Sequence, residues 1–118
     1  MVKKVILKGK KVILRPLSLK DAPRFCQWLD DPEVTKFLTI YDQPPPTIKE
    51  EREWVRKAKN SKTSIHFSID TREGKHIGSI SLMKIDKLHR RAEYGVFIGD
   101  KAYWGQGYGT EAAKLIVD

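Results

Sequence analysis

Residues 103–111 read Tyr-Trp-Gly-Gln-Gly-Tyr-Gly-Thr-Glu, with Gly105, Gly107 and Gly109 at alternate positions. An apolar run, Tyr94-Gly-Val-Phe-Ile98, precedes them, and a helical pattern from Thr110 to Val117 follows. Strand, glycine-rich turn and helix in that order make a cradle for an anion. Glycine lacks a Cβ, so the backbone there turns tightly and comes within hydrogen-bonding distance of a ligand. The unpaired N–H groups of the first helical turn and the positive end of the helix dipole face the same spot. A phosphate or pyrophosphate is the natural guest. Two familiar phosphate loops do not match. A Walker loop requires Gly-x-x-x-x-Gly-Lys-Ser/Thr, and no lysine precedes Thr110. The dinucleotide fingerprint requires Gly-x-Gly-x-x-Gly after an early βαβ unit, whereas the spacing here is Gly-x-Gly-x-Gly.

Other chemistry-bearing side chains are scattered. His66 alternates with apolar neighbours and is expected to face solvent or a helix, while His76 and His89 fall at turns. None of them has metal-ligand spacing with Cys26 or a carboxylate, so no metal is expected. Cys26 has no histidine-bearing motif beside it and is read as packing rather than a nucleophile. A single cysteine also excludes an intramolecular disulfide and suits a reducing cytoplasm.

The elements that must position the loop are legible in outline. Lys4-Val-Ile-Leu-Lys and Lys11-Val-Ile-Leu-Arg-Pro flank Gly9-Lys10, which predicts a first strand split by a turn or bulge. Ser18-Leu-Lys-Asp21 is a capping-box-like start for a helix to about Leu29, with Phe25, Trp28 and Leu29 on its buried face. Asp42-Gln-Pro-Pro-Pro reads as a stiff, extended linker. Thr47-Ile-Lys-Glu50 is a second capping box, opening a helix to about Lys59 with Trp54 and Val55 inward. The period then changes to two. Ile65, Phe67 and Ile69 share one face of a strand, Arg72-Glu-Gly-Lys75 makes a hairpin turn, and residues 76–86 and 91–98 form two further strands of an antiparallel meander. Gly78 is expected to mark a bulge or a close backbone approach.

The loop resembles motif A of the GCN5-related N-acetyltransferases, the GNAT superfamily, whose pattern is Arg/Gln-x-x-Gly-x-Gly/Ala. The match is Trp104-Gly-Gln-Gly107-Tyr-Gly109, with Trp104 where the family usually carries Arg or Gln. In this, and in Val12-Ile-Leu-Arg-Pro-Leu17 and His89-Arg-Arg-Ala-Glu-Tyr-Gly-Val-Phe-Ile98, the chain is similar to the ribosomal-protein alanine N-acetyltransferases. The resemblance implies an α+β fold with a mixed, mainly antiparallel sheet flanked by helices, of which residues 1–118 would be a single domain holding the N-terminal two-thirds. The helix after the loop stops mid-pattern at Asp118, so the domain is expected to be incomplete at its C-terminus. It implies acetyl-CoA as co-substrate and an amine as acceptor, attacking the thioester directly. Carried over, Val96, Phe97 and Ile98 would pair with the pantetheine arm. Gly105, Gln106, Gly107, Tyr108, Gly109 and Thr110 would hold the pyrophosphate, and Trp104 could pack against the cofactor. Glu93 is the candidate general base, with an ion pair to Arg90 or Arg91 as the competing reading. The acceptor would be a protein N-terminus, or alternatively a polyamine or aminoglycoside, because residues 89–93 are also similar to spermidine acetyltransferases.

Composition sets the outer bounds. With 40% hydrophobic and 32% charged residues the chain is an ordinary single globular domain; no apolar run approaches the ~18 residues of a membrane span and the N-terminus lacks a leader pattern, so the cytoplasm is expected. A formal charge of +8 invites a nucleic-acid reading, but no aromatic residues interleave with the Lys3–Lys11 and Lys84–Arg91 clusters. The basic balance is read as a solvated surface that also attracts a polyanion such as coenzyme A. A third alternative is a non-catalytic module that holds coenzyme A or pairs with a second copy through an exposed sheet edge.

Overall fold

The computed structural model describes residues 6–35, 47–61, 64–86 and 91–117. Five strands form one antiparallel sheet in chain order: β1 (Leu7–Lys8), β2 (Val12–Pro16), β3 (Ile65–Thr71), β4 (His76–Asp86) and β5 (Arg91–Ile98). The repeated Val-Ile-Leu is thus a hairpin, with Leu7 opposite Leu14 and Gly9 N–H donating to Val12 O at 2.8 Å. β5 ends the sheet, and among the described residues only its β4 side is paired.

The helices lie between β2 and β3 and after β5. Ser18 caps as its sequence predicts, but the turn it opens, Leu19–Asp21, is a 3-10 helix, and the α-helix α1 covers Ala22–Leu29. Proline at the start of α1 is tolerated because a first-turn N–H would lack a partner anyway. A short α2 (Pro32–Thr35) follows, then α3 (Ile48–Lys59). The Thr47 hydroxyl accepts from Glu50 N–H at 3.1 Å and the Glu50 carboxylate accepts from Thr47 N–H at 2.9 Å, a complete capping box. The last helix, α4, spans Tyr108–Val117. None of these helices is long and apolar enough to cross a membrane.

Apolar residues cover both sheet faces. On one side Val12, Leu14, Phe67, Ile69, Ile77 and Ile80 meet Ala112 of α4; on the other Leu17, Phe25, Trp28, Val34 and Val55 gather under α1, α2 and α3. Ile77 and Ile80 have opposite parity yet share the α4 side. The register moves from Ile69 opposite Gly78 to Asp70 opposite His76, so Ile77 is the extra residue of a bulge. Gly78 is also a close approach, since a Cβ there would lie 2.0 Å from Phe97 O.

Trp54 departs from its sequence reading. It is 43% exposed, whereas Glu51 and Val55 are buried. The inward stripe of α3 runs Glu51, Val55, Ala58, and Trp54 stands one position off it. Its ring lies edge-on to Phe25 and His66 at 5.9 and 5.6 Å. The rotation of α3 against α1 decides this, and helical spacing alone does not carry it. The Asp42–Pro46 linker and the turn holding His89 lie outside the described residues.

A part-buried charged network lies at the start of α1, with the buried Asp21 at its centre. Arg15 donates to both Asp21 oxygens (3.0 and 2.8 Å) and to Asp70 (2.8 Å), while Ser68 Oγ–H donates to Asp21 at 2.7 Å. Burial alone would raise the Asp21 carboxyl, but the Arg15 and Ser68 hydrogen bonds overcome it and hold it below the usual value. His76 closes the network, its Nδ1 3.6 Å from Asp21 Oδ1. Burial, then the Arg15 charge, outweigh that carboxylate and lower its pKa.

Candidate functional site

The loop is launched from the end of β5. Gly99 and Asp100 N–H both donate to Ile77 O (2.9 and 3.2 Å), and the chain then leaves the sheet. The Trp28 indole fills the space over Gly99, where a Cβ would lie 2.1 Å from the ring. Asp100 caps a 3-10 turn, Lys101–Tyr103, by accepting from Ala102 N–H at 3.0 Å. Gly105 and Gly107 then adopt φ of +71° and +86°, the left-handed region that favours glycine. Such reversals turn successive N–H groups toward one concavity, a nest suited to an anion.

α4 begins at Tyr108, two residues before the predicted Thr110, because Glu111 N–H donates to Gly107 O at 3.0 Å. The N–H groups of Tyr108, Gly109 and Thr110 therefore belong to the first turn and have no acceptor within the helix. Gly109 brings that turn against β5, with a Cβ position only 3.2 Å from Val96 Cγ1.

The β5 edge meets the same place. Gly99 N–H faces β4, so by antiparallel alternation the polar groups of Phe97 also face β4, and those of Val96 and Ile98 face the open edge. The Trp104 indole agrees with this, donating to Ile98 O at 2.6 Å. Val96, Ile98 and residues 104–110 thus converge at one end of β5. Phe97 instead packs its ring against Trp28, centroids 5.9 Å apart. Glu93 stands further back on β5, opposite Met83, and its side chain lies outside the described residues.

Several neighbours of the loop carry no sequence signal. Glu111 Oε2 accepts from Lys11 N–H at 2.6 Å and Val12 N–H at 2.9 Å, pinning the β1–β2 hairpin to the first turn of α4. Lys11 Nζ donates to Gln106 O at 2.7 Å and stands 5.3 Å from the Tyr108 ring centroid. These pairs are about a hundred residues apart in the chain, so no local pattern reveals them. On the opposite sheet face His66, which meets the helix residue Trp54, hydrogen-bonds Ser81 Oγ through Nδ1 (2.6 Å) and Ser64 Oγ through Nε2 (3.0 Å). Ser81 lies opposite Gly95 of β5. Burial lowers the His66 pKa, so the ring is neutral near pH 7. Cys26 points the other way from a nucleophile: burial, then Glu51 and Glu50, raise its thiol pKa. Among the described residues no three His, Cys, Asp or Glu side chains group as a metal site.

The family model described as the acetyltransferase (GNAT) domain matches residues 11–118. The chain is 31% identical over 113 residues to the uncharacterised N-acetyltransferase p20 of Bacillus licheniformis, covering 92% of this chain and 62% of that protein. It is 30% identical over 107 residues to the spermidine N(1)-acetyltransferase of Escherichia coli, covering 91% and 55%. The fold is also that of RimL, a ribosomal L7/L12 alpha-N-protein acetyltransferase solved in complex with coenzyme A. That likeness has a TM-score of 0.76 at 17% identity and covers 96% of this chain and 66% of the other. The chain spans 55–62% of the length of the two curated relatives.

Proposed function

The chain belongs to the GNAT acetyltransferase family, and from that membership we propose that it binds acetyl-CoA and transfers the acetyl group to a primary amine. One observation carries the reading. The nest at Gly105 and Gly107, the unpaired first-turn N–H groups of α4 and the open edge of β5 meet at a single point, held close by Gly109. Residues 105–110 would hold the diphosphate, which the loop suits because the left-handed backbone at Gly105 and Gly107 turns N–H groups to one side and disfavours any residue with a Cβ. The Val96 and Ile98 edge would hold the pantetheine arm through backbone groups, with Ile98 O already taken by Trp104. When bound, acetyl-CoA supplies a thioester carbonyl open to amine attack.

The protein's share is positioning and proton transfer. An amine attacks only when neutral, so a base beside the β5 edge must take its proton. Glu93 fills that role, in keeping with its place on β5 two residues before Gly95. A protein N-terminus is the first acceptor, supported by the fold shared with RimL. A polyamine is the second, supported by the similarity to spermidine N(1)-acetyltransferase.

Calorimetric titration with acetyl-CoA tests the reading. The parent chain is expected to bind and Gly107→Val to lose binding at least tenfold, because a β-branched residue at φ +86° collapses the nest. Equal binding by both would remove the loop from the site. Acetylation assays on an alanine-terminated peptide and on spermidine then decide between the acceptors.

A further inference from the structure

We infer that Lys11 is a further cofactor-binding residue, whose ammonium meets the diphosphate cradled by the glycine loop. The inference deepens the proposed function and rests on it. Among the described residues, Arg24, Lys75, Lys101 and Lys11 stand about residues 99–108, and the first three are matched by carboxylates. Arg24 and Lys75 share Asp100 at 3.4 and 3.3 Å, and Lys101 pairs with Asp31 and Glu33, both at 2.9 Å. Lys11 differs. Among the described residues its Nζ contacts are neutral: the Gln106 carbonyl and the face of Tyr108. Glu111, in the first turn of α4, directs its Oε2 to the N–H groups of Lys11 and Val12.

This placement brings an ammonium to the start of α4, where Glu111 is the acid of the first turn. The start of a helix carries the positive end of its dipole, so a lysine there adds like charge to like. Yet Lys11 is held in place from two directions, its backbone by Glu111 and its ammonium by Gln106 O. The ammonium lies 3.9 Å from the Cβ position of Gly107, beside one of the two residues that shape the nest. One of its three N–H groups serves Gln106, which leaves two for phosphate oxygens. An anion in the nest would attract the ammonium and add charge-assisted hydrogen bonds.

Binding of acetyl-CoA to the parent chain and to Lys11→Arg, Lys11→Gln and Lys11→Met, at low and high salt, tests the assignment. Lys11→Gln keeps a donor for Gln106 O and removes the charge. It is expected to weaken binding roughly tenfold and to flatten the salt dependence, while Lys11→Arg stays within about threefold of the parent. Dephospho-coenzyme A, which keeps the diphosphate but lacks the 3′-phosphate, should show the same loss. Melting temperatures establish that each variant folds. If Lys11→Gln binds like the parent with an unchanged salt dependence, and only Lys11→Met is weak, Lys11 merely tethers the loop and the inference is wrong. A loss that disappears with dephospho-coenzyme A overturns it as well. A parent chain that binds no acetyl-CoA removes the proposed function, and this inference with it.

Discussion

Trp104 ties the glycine loop to the end of β5. Its indole N–H satisfies Ile98 O at the open edge of β5, and its ring joins the cluster under α1. Trp104→Phe keeps most of the packing and removes the donor. It is expected to cost about 1 kcal/mol of stability and to weaken acetyl-CoA binding several-fold; urea denaturation and calorimetry would read the two effects. Arg15 is the corresponding residue of the part-buried network. Arg15→Met leaves Asp21 and Asp70 facing each other without a counter-charge, and a loss of about 3 kcal/mol is expected in urea denaturation. A cost under about 1 kcal/mol would mean that water reaches the network and screens it. Neither hydrogen-bonding role is legible locally: the sequence marks Trp104 as a motif position that could pack against the cofactor, and Arg15 as part of a strand and of the Val12–Leu17 opening.

Among the elements, the β4–β5 pair sets the geometry on which the loop depends. Gly78→Ala drives a Cβ into Phe97 O and should cost more than about 2 kcal/mol, with loss of ordered β5 by hydrogen exchange. Gly74 is the control. Its φ is +92° with nothing within 4 Å of a Cβ, so Gly74→Ala should cost only the left-handed penalty, about 1 kcal/mol. Equal effects at the two glycines would refute the close-approach argument. The strands, the turn and both capping boxes were readable, because period-two runs, Gly at a turn and Ser/Thr three residues before an acid are local signals. Trp54 departs from its reading because the adjacent residues 54 and 55 both fit an apolar stripe at helical spacing, and how far α3 turns toward the core is set by its packing against α1.

For the whole molecule, pH is the broadest probe. His66 and His76 both have lowered pKa values, chiefly by burial, so the unfolded chain binds protons that the folded one refuses. Stability therefore falls as pH drops below the unfolded histidine value, near 6.5. Asp21 and Asp100 act at lower pH. Burial opposes their charge, but hydrogen bonds led by Arg15 for Asp21 and by Ala102 N–H for Asp100 lower both. Their contribution is complete above about pH 4 and disappears as pH falls through their folded values. Melting temperatures from pH 7 to 3 should thus decline in two stages. Replacing both histidines with Gln should flatten the upper stage alone; an unchanged upper stage would show that neither ring is responsible.

The sequence by itself determined the order of elements, the glycine loop after an apolar strand and the family that the loop resembles. These depend on residues close together in the chain, where backbone preference and side-chain period act directly. Only the tertiary structure decided that Val96 and Ile98, but not Phe97, turn their polar groups to the open edge, because that follows from register with β4. Only folding set Lys11 and Glu111 against the loop, and joined Arg15, Asp21, Asp70 and His76 into one network. Contacts between residues fifty to a hundred positions apart are fixed by how the layers pack, and that information lies in the whole chain at once.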